Sequence, residues 1–525
     1  MSTSLQTRLF GRRDLQWHLF EKGFLITNAK LPSLQAYPFY GNWSVLQVKG
    51  FHILVHGGAG RYTYEKDGAV YFLIGHAYNP FSMEWREDRI LQTLAENSAN
   101  SLNWNLINQL TGIFIMGVIR DDSLDFWLDA SGMQYGCYGT VDGKQYISSH
   151  MQLVGDLCRL KTDPYVDRLI HYRWYHYMMG NYLPGELTRY SELKRIIPNT
   201  YVRFDGRGYT VSRIYPSREI RMCQSPEDYD SVIAQACEIM QNTMKLIPEK
   251  WERPAISLTG GIDSNTTFAA ANGNYDKFEA FSYISAEKEI RDAEAAKKIA
   301  EHFDVPHHVY TIPDDDAEIE KFDEIYEVLM HNNSYVGPLK HNEARKRMYL
   351  RKHCGCEIEV KSWVSETIRA YWYKHYGRKT MPALSPKLYR NFYKIFIGNR
   401  VLAHKIDRLY EDYIRDFEYE NIPEGYPTAD MNFNEVTWGS WGGLRISEMK
   451  YCFDLTFAYN NRKFFNLMFR VPLDKRISDQ HHLDMKAYLN KELADMNIRI
   501  VNMKETDSRA AGLNAIFTAN MLLPF

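Results

Sequence analysis

No stretch of this sequence approaches the roughly 18 consecutive apolar residues that a membrane-spanning helix needs, so no segment reads as transmembrane. Excess charge of one sign is missing as well. Lys and Arg number 63 against 65 Asp and Glu, a formal net charge of −2. That balance excludes the global basic field of a general nucleic-acid binder. Cysteine is scarce and scattered, at positions 137, 158, 223, 237, 354, 356 and 452. An odd, dispersed set argues for reduced thiols and a cytoplasmic protein. Only Cys354-Gly-Cys356 forms a close pair, and without a second pair at metal spacing it reads as structural. Met1 to Leu9 carries no apolar core of signal-peptide length, and no internal repeat or low-complexity tract breaks the chain.

What is present suits a large globular protein. Apolar residues make up 45% and charged residues 24% of the 525 positions, enough for a core and too long for one ordinary domain. The 37 Tyr and 11 Trp are spread along the whole chain, which reads as structural use. Up to about residue 215 the pattern is β-rich. Trp43–Gly50 and Phe51–His56 read as successive strands, Val70–Ile74 as a short buried run ended by Gly75, and Gly112–Ile119 with Leu124–Leu128 as a hairpin. Glu87–Asn97 reads as a helix between them. After Pro216 the period changes. Ser225-Pro-Glu-Asp has a capping Ser, Pro at the first helical position and acids in the first turn. Pro254–Leu258, Phe278–Ile284 and His307–Ile312 then read as strands alternating with helices, the pattern of a parallel sheet with crossovers. From Asp323 onward the chain reads as mostly helical.

The segment richest in chemistry is Ser257-Leu-Thr-Gly-Gly-Ile-Asp-Ser264. A strand ends, two glycines turn the chain and a helix begins. Backbone N–H groups at such a turn point at an anion, and the helix dipole favours negative charge there. Asp263 is a candidate magnesium ligand against phosphates, and Thr259 and Ser264 offer hydroxyls. The segment lacks the Gly-Lys-Ser/Thr of a Walker A loop.

It resembles the Ser-Gly-Gly-x-Asp-Ser signature of the PP-loop ATP pyrophosphatases, with Thr259 in the first Ser position. More of the chain is similar to one branch of that superfamily, the asparagine synthetase family with its β-lactam synthetase and lasso-peptide cyclase relatives. Glu294–Ala300 followed by His307-His308, the Asn460–Arg476 segment and Lys486-Ala-Tyr-Leu489 resemble that family's later motifs in order. In the first half, Ile74-Gly-His-Ala-Tyr-Asn79, Leu110–Phe114, Asp129–Met133, Ser148-Ser-His-Met151 and Glu192–Pro198 are colinear with it.

The resemblance implies an α/β protein. It would have an N-terminal Ntn-hydrolase-like αββα sandwich over 1–218, of the class II glutamine amidotransferase type. An adenine-nucleotide α-hydrolase-like (PP-loop) parallel-sheet domain with a helical C-terminal part would follow over 219–525. It implies ATP and Mg2+ as cofactors, with Asp263 and Glu366 as metal ligands. Leu258, Thr259, Gly260, Gly261, Asp263, Ser264 and Ser282 would bind the nucleotide, and Lys486 and Glu366 would be catalytic. The expected reaction activates a small carboxylate as an acyl-adenylate, releases pyrophosphate and transfers the acyl group to an amine or ammonia. No nucleic-acid or membrane partner is expected, and a homodimer is left open.

The pattern also breaks. Glutamine-dependent members carry Cys after the initiator Met, whereas Ser2 and Thr3 stand here and no Cys precedes Cys137. Their Asn-Gly-Glu has become Ile74-Gly75-His76. No glutaminase activity is therefore expected. In Val360-Lys-Ser-Trp-Val-Ser-Glu-Thr-Ile-Arg-Ala-Tyr371, Ser365 replaces the metal-binding Asp of the resemblance and Ser362 its first Glu. Lys361 and Arg369 add positive charge for pyrophosphate or an acidic substrate. These losses keep two alternatives in view: a catalytically weak nucleotide-binding scaffold, and a different PP-loop enzyme.

Overall fold

A computed structural model describes residues 5–98, 101–173, 175, 182–337, 339–394, 398–500 and 503–522. Ser2 and Thr3 lie outside the described residues. Twelve strands among the described residues occupy the first part of the chain. They are β1 (Phe24–Thr27), β2 (Trp43–Val48), β3 (Phe51–His56), β4 (Arg61–Lys66), β5 (Ala69–Tyr78), β6 (Thr111–Ile119), β7 (Leu124–Leu128), β8 (Cys137–Val141), β9 (Lys144–Ser148), β10 (Leu193–Arg195), β11 (Thr200–Asp205) and β12 (Gly208–Arg213). They form two sheets, ordered β10-β8-β9-β1-β3-β2 and β12-β11-β7-β6-β5-β4, with antiparallel pairs such as β1–β3 and β5–β6.

The period-2 pattern explains the layering. Phe24, Ile26, Ile53 and Val55 of one sheet bury against Phe72, Ile74, Ile115 and Phe126 of the other. The alternate residues face outward onto helices. Leu25 shares a cluster with Met151, Leu153 and Val154 of one helix, and Leu73 and Met116 share it with Ile90, Leu91 and Leu94 of another. Those helices are α1 (Glu87–Glu96) and α2 (Met151–Cys158). The result is an αββα sandwich. Each fully buried Phe, Ile or Val contributes about 1.5–3 kcal/mol of hydrophobic free energy, so the face between the sheets is a major source of its cohesion.

One expectation is corrected here. The run at Val70 does not end at Gly75; β5 continues to Tyr78. Gly75 sits at φ +112°, and a Cβ there would collide with Ile113 O of β6. The glycine lets the two strands approach closely and does not stop the strand.

The second part opens with α3 (Pro226–Lys250). The Ser225 side chain accepts from Asp228 N–H and Pro226 sits in the first turn. A parallel sheet follows, made of β13 (Pro254–Ser257), β14 (Glu279–Ile284), β15 (His307–Thr311), β16 (Ile358–Val360) and β17 (Asp454–Thr456), in the order β15-β14-β13-β16-β17. Two of its five strands lie in the region expected to be helical. They are three residues long, too short for any hydrophobic period to show. The order reverses at β13. The chain first builds outward through β14 and β15, then returns to add β16 on the other side. Ligands of open parallel sheets bind at such a switch point, beyond the carboxyl ends of the strands. The segments leaving β13 and β16 therefore face one crevice.

The two parts interlock through buried polar contacts. Arg462 donates to Asn199 Oδ1 at 2.7 Å and to the carbonyls of Leu128 and Asp129. Asn460 donates to Asp129 Oδ1 at 2.9 Å. Arg213 holds Glu435 through two bonds of 2.8 and 3.1 Å, and Asn199 donates to the same carboxylate. The residues that carried the resemblance at Asp129 and Asn460 are thus joined to each other. No helix among the described residues is long and apolar enough to cross a membrane.

Candidate active site

The crevice is built from four pieces. The first is the turn Leu258–Gly261 between β13 and α4 (Ile262–Ala270). Leu258 donates its N–H to Phe281 O and accepts at its carbonyl from Ser282 Oγ at 2.7 Å, so the ends of β13 and β14 are tied together. The Leu258 side chain is fully buried in the core, and Ser282 Oγ also meets His307 Nε2 at 2.9 Å. Gly260 has no room for a side chain, because a Cβ would strike Ile500 Cδ1 and lie 3.1 Å from Ala295 Cβ. Ile500 N–H also donates to Gly260 O at 2.9 Å.

The amides expected to hold pyrophosphate have partners within the protein. Thr259 N–H donates to Ser264 Oγ at 3.1 Å, Gly260 N–H to Asp292 Oδ1 at 3.1 Å, and Gly261 N–H to Thr259 Oγ1 at 3.1 Å. Asp292 is a carboxylate standing where an anionic ligand would bind. Burial raises its pKa.

The second piece is the segment after β16. Ser362 Oγ meets Thr267 Oγ1 of α4 at 2.8 Å. Val364 is held at φ +75°, a costly conformation for a β-branched residue. It turns the chain into a short 3-10 helix, Ser365–Ile368. Ser365 Oγ then donates to Asp263 Oδ1 at 2.8 Å. Glu366 lies beside them. Burial, with the charge of Asp263 added, pushes its carboxyl up to about 7.

The third piece is α5 (Ile290–His302), which contributes Asp292 from its first turn. The fourth is α6 (Gln480–Leu489), packed against α4. His482 Nε2 reaches 3.4 Å from Asp263 Oδ1. Lys486 lies one turn further on, on the same helix face. It is buried, and burial with the nearby Arg499 charge lowers its pKa.

Arg369 joins these pieces. Its Nη1 donates to Asp263 Oδ2 at 2.5 Å, while Nε and Nη2 each donate to Asp479 at 2.8 Å. Lys374 also donates to Asp479. Sequence reasoning placed Arg369 on phosphate or substrate. The structure shows it on the loop carboxylate, a pairing between residues 106 positions apart that no local pattern announces. Asp292, Asp479 and His482 went unnoticed for the same reason.

Magnesium favours an octahedron of oxygens and usually relies on one or two carboxylates with substrate phosphates. Asp263 is surrounded by a guanidinium, an imidazole nitrogen and one hydroxyl, and both its oxygens are engaged. Glu366 is partly protonated near neutral pH, hence a weak donor. Among the described residues no three His, Cys, Asp or Glu side chains group to hold a metal ion. The residues at Asp263 and Glu366 do not fit magnesium as they are arranged. A positive side chain holds that place, and Ser365 stands where the resemblance has a second Asp.

One cavity borders the segment after β16, and a second opens at the amino ends of the parallel strands. The first, of about 580 Å³, lies over the sheet face carrying Phe281, Tyr283, Glu359 and Lys361. Trp363 stacks on Trp441 at its wall with centroids 5.5 Å apart. The other, of about 380 Å³, contains Gly75 and His76 with Lys22, Lys250 and Lys450. Cys354 and Cys356 lie elsewhere, as free thiols 3.3 Å apart.

Residues 252–348 match the family model described as asparagine synthase. No curated protein matches the chain. Among solved structures, the chain is similar to the allosteric regulatory enzyme of purine biosynthesis, at 10% identity and a TM-score of 0.26, covering 62% of this chain and 85% of that one. It is also similar to the glutamine phosphoribosylpyrophosphate amidotransferase from B. subtilis, at 10% identity and a TM-score of 0.21, covering 58% and 63%. A third is the glutamine-dependent NAD+ synthetase from Acinetobacter baumannii, at 12% identity and a TM-score of 0.18, covering 44% and 41%.

Proposed function

We propose that this chain, asparagine synthetase-like over residues 252–348, is an ATP-dependent amide ligase. In this reading 219–525 is the catalytic unit and 1–218 an amidotransferase-like unit. The ligase activates a small carboxylate as an acyl-adenylate, releases pyrophosphate and passes the acyl group to an amine or ammonia. One observation carries the proposal. The Thr259–Ser264 turn, the Ser365–Arg369 turn and the Lys486 face of α6 converge beyond the switch point of a parallel sheet.

The roles follow from the chemistry. The turn amides of Gly260 and Gly261, with the Thr259 and Ser264 hydroxyls, would receive phosphate oxygens once Asp292 yields its hold. The ends of β13 and β14 at Leu258 and Ser282 would border the adenosine; the buried Leu258 side chain leaves only its backbone edge for that contact. Lys486 would stabilise the charge that grows on the phosphates as the α–β bond breaks. Glu366, poised near neutrality, is suited to take the proton from the attacking nitrogen. The acid would lie in the cavity of about 580 Å³, whose wall carries Lys346, Arg347, Lys361 and Arg445. Those four pair with Glu343, Glu359 and Glu448, so Lys288 and Lys340 of the same lining suit an acidic substrate best, and the Trp363–Trp441 stack suits a flat or apolar portion of it.

A scaffold reading draws on one observation, the internal bonds already made by the Gly260 and Gly261 amides. Pyrophosphate release decides between the two. The full chain is incubated with ATP and panels of acids and amines, beside Lys486→Ala. Release that needs the acid, that continues beyond one turnover only when an amine is present, and that falls by about 100-fold or more in the variant supports the ligase. ATP binding without release under any pair leaves the scaffold.

A further inference from the structure

We propose that Arg369 is the resident counter-ion of the phosphate crevice and takes the place of a divalent cation, so that ATP binds here as the free anion. The inference rests on the reading of this crevice as a nucleotide site.

The geometry is that of a built, supported cation. Arg369 uses Nε and Nη2 on Asp479, a bidentate grip at 2.8 Å on each side. That anchors the guanidinium plane from behind. Its Nη1 reaches forward to Asp263 in the first turn of α4. A phosphate oxygen entering above the turn meets the same forward edge. A guanidinium presents planar paired donors that match phosphate geometry and stays charged at every accessible pH.

The charge inventory points the same way. Lys374 bonds to Asp479, and Arg499 Nη2 lies 3.8 Å from the same carboxylate. Lys486 stands near Arg499. Four cations thus gather against three carboxylates, Asp263, Asp479 and Asp292, with Glu366 held partly neutral. A polyphosphate entering this surplus is neutralised by protein charges. A divalent ion entering with it adds two more positive charges beside Arg369. It must also strip Asp263 of the guanidinium and the Ser365 hydroxyl before it has a ligand. Ser365 offers a neutral oxygen in place of a second carboxylate, so the lost metal ligand and the guanidinium on Asp263 are complementary changes.

The test is calorimetric titration of ATP into the full chain, once in excess EDTA and once in excess MgCl2, repeated with Arg369→Gln. The inference expects wild-type affinities within about threefold of each other in the two buffers. It expects Arg369→Gln to lose about tenfold or more in EDTA and to recover with MgCl2, because Asp263 is then free to ligate. Wild-type affinity that drops by more than about threefold in EDTA, or an Arg369→Gln variant that keeps wild-type affinity there, overturns the counter-ion role and leaves the ligase reading standing. No binding in either buffer overturns both. Should Arg369→Gln fail to fold, the wild-type pair of titrations decides alone.

Discussion

Arg369 donates from Nη1 to Asp263 Oδ2 across 2.5 Å while its other edge grips Asp479. One side chain therefore couples the helix that follows the glycine turn to the start of the helix bearing Lys486. The first turn of α4, the 3-10 turn after β16 and α6 are held in one arrangement, and any change at one is felt at the others.

Lys486→Ala is expected to lower the rate constant of pyrophosphate release by about 100- to 1,000-fold, with a much smaller change in the KM for ATP. The ammonium acts on charge that appears only as the bond breaks. Because burial and Arg499 lower its pKa, the alkaline fall of the rate should begin below the ordinary lysine value. A pH–rate profile of wild type, Lys486→Arg and Lys486→Ala checks both points. An alanine variant at wild-type rate removes Lys486 from the mechanism.

Gly260→Ala should disturb the turn directly, since its Cβ would meet Ile500 Cδ1. The expected cost is about 1–3 kcal/mol of stability, typical of overpacking, together with weakened ATP binding. Pairing it with Ile500→Ala should recover most of both, as measured by denaturant melts and calorimetry. A double variant no better than the single one shows that the clash lies elsewhere.

Glu435→Ala strands the Arg213 guanidinium, which is 4% exposed and bonded twice to that carboxylate. Breaking one partner of a buried pair costs about 3–5 kcal/mol, and Asn199 loses a bond as well. Chemical denaturation of the full chain reads the loss. A variant within about 0.5 kcal/mol of wild type contradicts the assigned role of this contact.

Lys394 supplies a test of stability against pH. Burial lowers its pKa from 10.5 to about 7, although its ammonium sits over the rings of Tyr182 and Tyr393 at 5.3 and 5.0 Å. Between those two values the unfolded chain binds the proton and the folded chain does not. The cost is therefore present in full below about pH 7 and lifts as pH rises. Lys394→Met should be more stable than wild type by about 2–4 kcal/mol near pH 6, with the gap narrowing toward pH 10. Denaturation at several pH values follows the difference, and a gap that does not change with pH rules out this ionisation as its cause.

Much of this protein was legible before folding. Alternation at Trp43–Gly50, the strand-like run at Phe51–His56 and the apolar hairpin at Gly112–Leu128 marked the sandwich strands, because strand periodicity and a turn between apolar runs are written in consecutive residues. The capping Ser225 with Pro226, and the Gly260-Gly261 turn between an apolar run and a helical one, marked the second unit and its loop. These signals are local, so a few consecutive residues carry them. What lay outside local reach needed the tertiary structure. β16 and β17 are three residues each and exist because β13 offers an edge to β16 and β16 offers one to β17. Gly75 reads as a strand stop in sequence and proves to be a close crossing of β6. Asp292, Asp479 and His482 have no motif of their own and act only where distant helices bring them. Above all, Asp263 was legible as a loop carboxylate in sequence. That its partner is a guanidinium was decided by a contact spanning 106 positions, because electrostatic pairing depends on distance in space and leaves no period in the chain.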